Sequence, residues 1–146
     1  MTDQVLELNR VRVGAHASGM EDAIAQAAEL LVSAGAVTPE YLGYMLEREK
    51  SVSTYMGNFL AIPHGTNEGK DTILESALSF VRYDQPIDWG GNDVRFVVGI
   101  AGKENGHLEI LTKIAIIFSD EDQVQQLLDA PSAEAVYEIL SEVNEG

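Results

Sequence analysis

Apolar residues recur along this chain at two spacings, three to four and two, and the switches between them mark its elements. Val5–Val13 (VLELNRVRV) is rich in β-branched and aliphatic residues and predicts a short strand with a loop. Ser18-Gly19-Met20-Glu21 matches a capping box, with Ser18 as N-cap and Glu21 reaching back. Behind it Ile24, Ala27, Ala28 and Leu31 repeat at helical spacing until Gly35. Thr38-Pro39 opens a second helix, with Leu42, Met45 and Leu46 as its stripe and Glu47–Lys50 as its polar end.

Phe59–Ile62 is a short apolar run ended by Pro63. Glu75–Tyr83 alternates, with Leu78 and Phe80 on one side and Ala77, Ser79 and Val81 on the other, which predicts a strand. Val94–Ile100 is apolar on both faces, as a central strand is. His107–Phe118 is apolar almost all round and predicts a mostly buried helix. Val124, Leu127 and Leu128 mark another. Ser132 caps the last, whose stripe is Val136, Ile139, Leu140 and Val143. Helices and strands interleave, so the fold class is α/β, a mixed sheet in one domain. No internal repeat or linker divides the chain.

The length, 146 residues, fits one domain with its own core. Nine Lys and Arg stand against 24 Asp and Glu, a net charge of −15. That excess argues against binding phosphate backbones or anionic membrane surfaces. With no cysteine, disulfides, thiolate metal sites and a cysteine nucleophile are excluded. The start lacks the basic and apolar regions of a signal peptide, and no apolar stretch approaches a membrane span. A cytoplasmic location is expected.

Three histidines remain as candidates for chemistry. His16, in Gly14-Ala15-His16, has no acid beside it and reads as a surface residue. His64 stands in Ala61-Ile62-Pro63-His64-Gly65-Thr66. Pro63 stiffens the lead-in, Gly65 permits a turn, and strand ends are where open α/β sheets place their sites. A histidine that merely caps a turn is the competing explanation. His107 opens a helix, where free amides suit a phosphate; alone it reads as a helix residue with no task. Arg48, in Glu47-Arg48-Glu49-Lys50, belongs to what is normally a solvated face, although one charge could turn inward as a fixed cation. No HExxH, GxSxG or GxxxxGK[ST] occurs, so no metal or cofactor is expected, nor ATP as phosphoryl donor.

At these residues the chain resembles the enzyme IIA domains of the mannitol/fructose class of the bacterial sugar phosphotransferase system. That class carries an acidic residue, six spacers, an apolar and a small residue, two spacers, then apolar-Ala-apolar-Pro-His-small. Here the pattern runs from Glu49 through Met56-Gly57 to Leu60-Ala61-Ile62-Pro63-His64-Gly65. Pro39-Glu40-Tyr41, Met45-Leu46, Arg48-Glu49-Lys50, Thr54-Tyr55, His64-Gly65-Thr66, Lys70-Asp71, Val98–Ala101 and His107–Leu111 are similar to the mannitol branch in particular.

The resemblance implies a roughly five-stranded mixed sheet with helices on both faces, one domain over residues 1–146. It implies that phosphate arrives from the phosphohistidine of the carrier HPr, rests on His64, and leaves to a cysteine of mannitol enzyme IIB, with IIC as the membrane partner. It places the active-site arginine at Arg48 and the second histidine at His107. A neutral imidazole is a competent nucleophile near pH 7, the free side chain having a pKa of about 6.5. Nε2 is expected to attack, with Nδ1 held by a backbone carbonyl. Arg48, His107 and the helix start would offset charge on the equatorial oxygens. Phe59, Leu60 and the 102–106 loop are candidate docking residues. The chain ends without a linker or span and reads as free-standing, or as an excised domain. Competing readings are a fructose-type IIA, a regulatory relative whose phosphorylation is sensed without serving a transporter, and a scaffold with no chemistry.

Overall fold

The computed structural model describes residues 6–103 and 106–141, with backbone only at 67 and 106–108. The first strand is later than the sequence pattern suggests. Leu8–Arg10 is a turn of 3-10 helix, and β1 spans Val11–Ala15. Helix α1, Met20–Ser33, has Gly19 rather than Ser18 as N-cap. The carboxylate that reaches back is Asp22, which accepts from Ser18 N at 2.9 Å and Ser18 Oγ at 3.4 Å. The expected Ser18–Glu21 box is therefore corrected by one position on both sides. Its physical role survives, since an acid at the third helical position still satisfies a free amide upstream.

Gly35 ends α1 as expected, with φ at +75°. Ala36 N donates to Leu31 O and Gly35 N to Val32 O, the pairing that closes a helix on a left-handed residue. Helix α2, Tyr41–Ser51, starts two residues after Pro39, because Thr38 O first accepts from Tyr41 N in a turn.

Two short strands follow, β2 (Tyr55–Gly57) and β3 (Leu60–Ala61). The sequence pattern gives no sign of β2. Phe59, read as strand, sits in the turn between them at φ +68°, next to Asn58 at +50°. The long strands are β4 (Ala77–Trp89) and β5 (Asn92–Ala101). β4 runs past Tyr83, where it was expected to stop; an irregularity between Arg82 and Ile87 absorbs Asp84-Gln85-Pro86. Helices α3 (Gly106–Phe118), α4 (Glu121–Asp129) and α5 (Ala133–Leu140) complete the chain. Ser132 caps α5 as expected, accepting from Ala135 N. Val143, placed on its stripe, lies outside the described residues.

The sheet order is β1-β4-β5-β3-β2. β1 is parallel to β4 and β3 to β5, while β4–β5 and β2–β3 are antiparallel, so the sheet is mixed. Each face carries its own core. Leu78, Phe80, Phe96, Val98 and Leu60 pack with α3, α4 and α5. Ala77, Val81, Val97 and Ala61 pack with α1 and α2. The alternation read in β4 and the two apolar faces read in β5 are the cause of this double layer. The phenyl rings of Phe80, Phe96 and Phe118 link sheet to α3 at centroid separations of 5.7 and 5.4 Å. α3 is less enclosed than its composition suggests. Ile110, Ile114, Ile117 and Phe118 are buried, but Ile116 is 62% exposed. Among the described residues no helix is long and apolar enough to cross a membrane.

Candidate functional site

The chain leaving β3 continues as an extended segment along the end of β5. Pro63 O accepts from Ile100 N at 3.0 Å, and His64 bridges to Ile100 in parallel register. Side chains on an extended chain alternate between faces. Leu60 and Ile62 belong to the core under α3–α5, and Ala61 to the core under α1–α2. The same alternation assigns His64 and Thr66 to the α3 face, and Pro63 and Gly65 to the α2 face.

Gly65 confirms the second assignment. A Cβ there would stand 2.5 Å from Cε1 of Tyr41, so only glycine lets α2 come this close. Tyr41 is buried, and its hydroxyl accepts from Gly65 N at 2.8 Å while donating to Ile100 O at 2.7 Å. One phenol thus ties α2 to the segment after β3 and to β5. Burial raises the pKa of this phenol to about 12, so it remains protonated and can donate.

His64 is half-buried, and its Nδ1 lies 2.8 Å from Ile62 O. A carbonyl only accepts, so Nδ1 carries the proton. In the neutral ring the lone pair then belongs to Nε2. The imidazole is held by the backbone two residues upstream, in a segment that Pro63 stiffens.

Arg48 approaches from the sheet edge. The β2–β3 register pairs Tyr55 with Ala61, and Ile62 N donates to Thr54 O. The Arg48 guanidinium donates to Val52 O at 2.7 Å, which anchors a fixed cation at this carbonyl. The residue of the polar run that turns inward is Glu49, not a cation. It is 8% exposed and accepts from Thr54 N at 2.8 Å, from Thr54 Oγ1, and from Trp89 Nε1 at 2.9 Å. One charge of Glu47–Lys50 does turn inward, but it is an anion and not the cation the sequence suggested.

His107 lies in the first turn of α3, as the sequence suggests, but its side chain is outside the described residues. So are residues 104–105 of the 102–106 loop. His16 is exposed and contributes its carbonyl to Gln26, in keeping with a surface role. Of the docking candidates, Phe59 is 39% exposed, whereas Leu60 is 1% exposed and belongs to the core. Leu60 is removed from the surface because its parity faces α3.

The family model described as "Phosphoenolpyruvate-dependent sugar phosphotransferase system, EIIA 2" matches residues 4–143. The chain belongs to this family. It is thereby a phosphotransferase component of that system, and the resemblance read from the sequence is borne out. Among relatives of the EIIA 2 family, a mannitol-specific phosphotransferase enzyme IIA component of Halalkalibacterium halodurans is 49% identical over 145 residues, 99% of this chain and 100% of that one. One from Bacillus subtilis is 44% identical over 142 residues, 97% of this chain and 99% of that one. Of solved structures, the complex of mannitol enzyme IIA with phosphorylated enzyme IIB from Escherichia coli matches with a TM-score of 0.87 at 35% identity, covering 93% of this chain and 98% of that one. The five-stranded mixed sheet with helices on both faces is consistent with the EIIA fold.

Within this EIIA chain, two supporting residues escape a reading of sequence spacing. Tyr41, Met45 and Glu49 recur every four residues and are the buried face of α2, beside the half-buried Leu42 and Leu46. Counting Tyr and Glu as candidates for that stripe, because each has a polar end that can reach a backbone partner, would have found both.

Proposed function

We propose that this chain is a phosphoryl carrier for mannitol uptake, accepting phosphate from phospho-HPr on Nε2 of His64 and passing it to a cysteine of enzyme IIB. The observation that carries the reading is the 2.8 Å contact between Nδ1 and Ile62 O. It selects the tautomer whose lone pair is at the attacking nitrogen. Identity of 49% to a mannitol-specific IIA, and likeness to a IIA solved with phosphorylated IIB, support the sugar and the acceptor. They favour this reading over a regulatory or fructose-type protein. The proposed setting is the cytoplasm, beside the membrane component IIC.

In the transfer, the Nε2 lone pair forms the new P–N bond as the P–N bond of the donor histidine breaks, its electron pair returning to the donor ring. Nδ1 keeps its proton, and positive charge gathering on the His64 ring is met by the Ile62 carbonyl. The transition state is loose and carries charge on three equatorial oxygens, so positioned positive groups lower its energy. Arg48, anchored at Val52 O, is assigned as one such group. His107 and the amides at the start of α3 are assigned the same role from the face to which His64 belongs. On release, a thiolate of IIB attacks phosphorus and the electron pair returns to Nε2.

Incubation with phosphoenolpyruvate, enzyme I and HPr should place an acid-labile phosphate on the chain, and His64→Ala should take none. Undiminished labelling of His64→Ala would move the site elsewhere.

A further inference from the structure

We propose that the hydroxyl of Thr66 is a phosphoryl-binding group, donating a hydrogen bond to an oxygen of the phosphate while it resides on His64. The inference rests on the carrier reading and adds a residue to it. Its starting point is an anomaly: Oγ1 of Thr66 is shielded from solvent and has no hydrogen-bond partner among the described residues. Shielded hydroxyls are nearly always paired, because an unpaired one has given up water for nothing.

The usual structural task at this position is also left undone. Thr66 is the N-cap of the 3-10 turn Asn67–Thr72, where a threonine side chain ordinarily accepts from an amide of the first turn; here it makes no such bond. The backbone explains what else the residue is placed for. Thr66 is extended, with φ −78° and ψ 168°, and it follows His64 by two residues on the segment laid against β5. Alternation through Leu60, Ile62, His64 and Thr66 sets both on the α3 face, while Gly65 faces Tyr41. Two residues along an extended chain span about 7 Å. A PO₃ group on a ring nitrogen places its oxygens about 3 Å from that nitrogen, which brings them towards a hydroxyl two residues along the same face.

A phosphoryl oxygen is a strong acceptor that is present only in the charged form of the carrier. The hydroxyl, without a partner among the described residues, would gain one on phosphorylation. This makes its hydrogen bond specific to the loaded and transition states, the only kind that accelerates transfer. Thr66 keeps its proton throughout, and no bond to it forms or breaks.

The variants Thr66→Val and Thr66→Ser separate this role from a structural one. Valine keeps the shape and removes the hydroxyl. The expected result is unchanged or raised thermal stability, because an unpaired group is lost, together with transfer from phospho-HPr slowed by about 10- to 100-fold. Thr66→Ser should restore the rate. Transfer by Thr66→Val within twofold of wild type overturns the inference, as does a loss of stability large enough to show that the hydroxyl has a partner in the resting fold. A labelled wild type with an unaffected Thr66→Val refutes this inference alone. A wild type that takes no label refutes the carrier reading, and this inference with it.

Discussion

Tyr41 shows how one side chain can hold a site together without touching its chemistry. Its hydroxyl bonds both Gly65 N and Ile100 O, so Tyr41→Phe leaves an amide and a carbonyl without a partner in the interior. The expected loss is about 1–3 kcal/mol of folding stability, read from urea unfolding. The same phenol gives a pH dependence. Its pKa is 10.0 ordinarily and about 12 here, because burial disfavours the phenolate. Between those values the unfolded chain releases the proton while the folded chain keeps it. Stability is thus fully present below pH 10 and falls as pH rises towards 12, by on the order of 2–3 kcal/mol from Tyr41. Burial also pushes Tyr83 upward, with the Asp22 carboxylate adding to it, so Tyr83 contributes in the same direction. Tyr41→Phe should make the fall shallower. An unfolding midpoint that stays level across this interval would show that burial does not hold the phenol protonated. The held setting of His64 was legible in sequence, because proline, histidine and glycine in succession restrict the backbone locally. The Tyr41 bonds were not, since they join residues 24 and 59 positions apart.

At the scale of elements, Glu49 fastens the end of α2 to Thr54, the residue before β2, and to β4 through Trp89. Glu49→Ala would strand the Trp89 and Thr54 N–H groups in the interior, costing about 2–5 kcal/mol. Glu49→Gln should cost far less. Its carbonyl oxygen can take the Thr54 N and Trp89 Nε1 bonds, and its amide can donate to Thr54 Oγ1, whose hydroxyl accepts as well as donates. Thermal unfolding of the pair tests the network; equal loss in both would mean that the negative charge, and not the acceptor geometry, is what α2 requires. The same element explains where sequence reading stopped short. A charged run at a helix end is normally solvated, and nothing local distinguishes Glu49 from Glu47. Only the arrival of Trp89, forty residues on, makes one of them interior. β2 was invisible for a similar reason. Its three residues are too few to establish a period and none is buried, so pairing with β3 across a turn of positive-φ residues is what makes them a strand. The long elements α1, β4, β5 and α3 to α5 were legible because each buries one periodic stripe or alternating face.

At the scale of the whole molecule, the sheet order joins these local events into one arrangement. β3 lies between β5 and the edge strand β2, so the chain leaving it reaches α2 on one face and α3 on the other. On the proposed carrier reading, the chain must meet two proteins in turn and release both. A net charge of −15 suits such transient docking, since long-range attraction speeds encounter with a partner bearing a basic rim while adding little to the lifetime of the complex. The Debye length is about 10 Å at 0.1 M salt and about 3 Å at 1 M, so this attraction is removable. Raising salt across that range should therefore slow the second-order transfer from phospho-HPr several-fold, chiefly through the association rate. Single-turnover transfer within a preformed complex should change little, because charges in direct contact are screened far less than charges a Debye length apart. Equal slowing of both steps would place the salt-sensitive charge in the reacting site, and indifference of both would show that the acid surplus serves something other than docking.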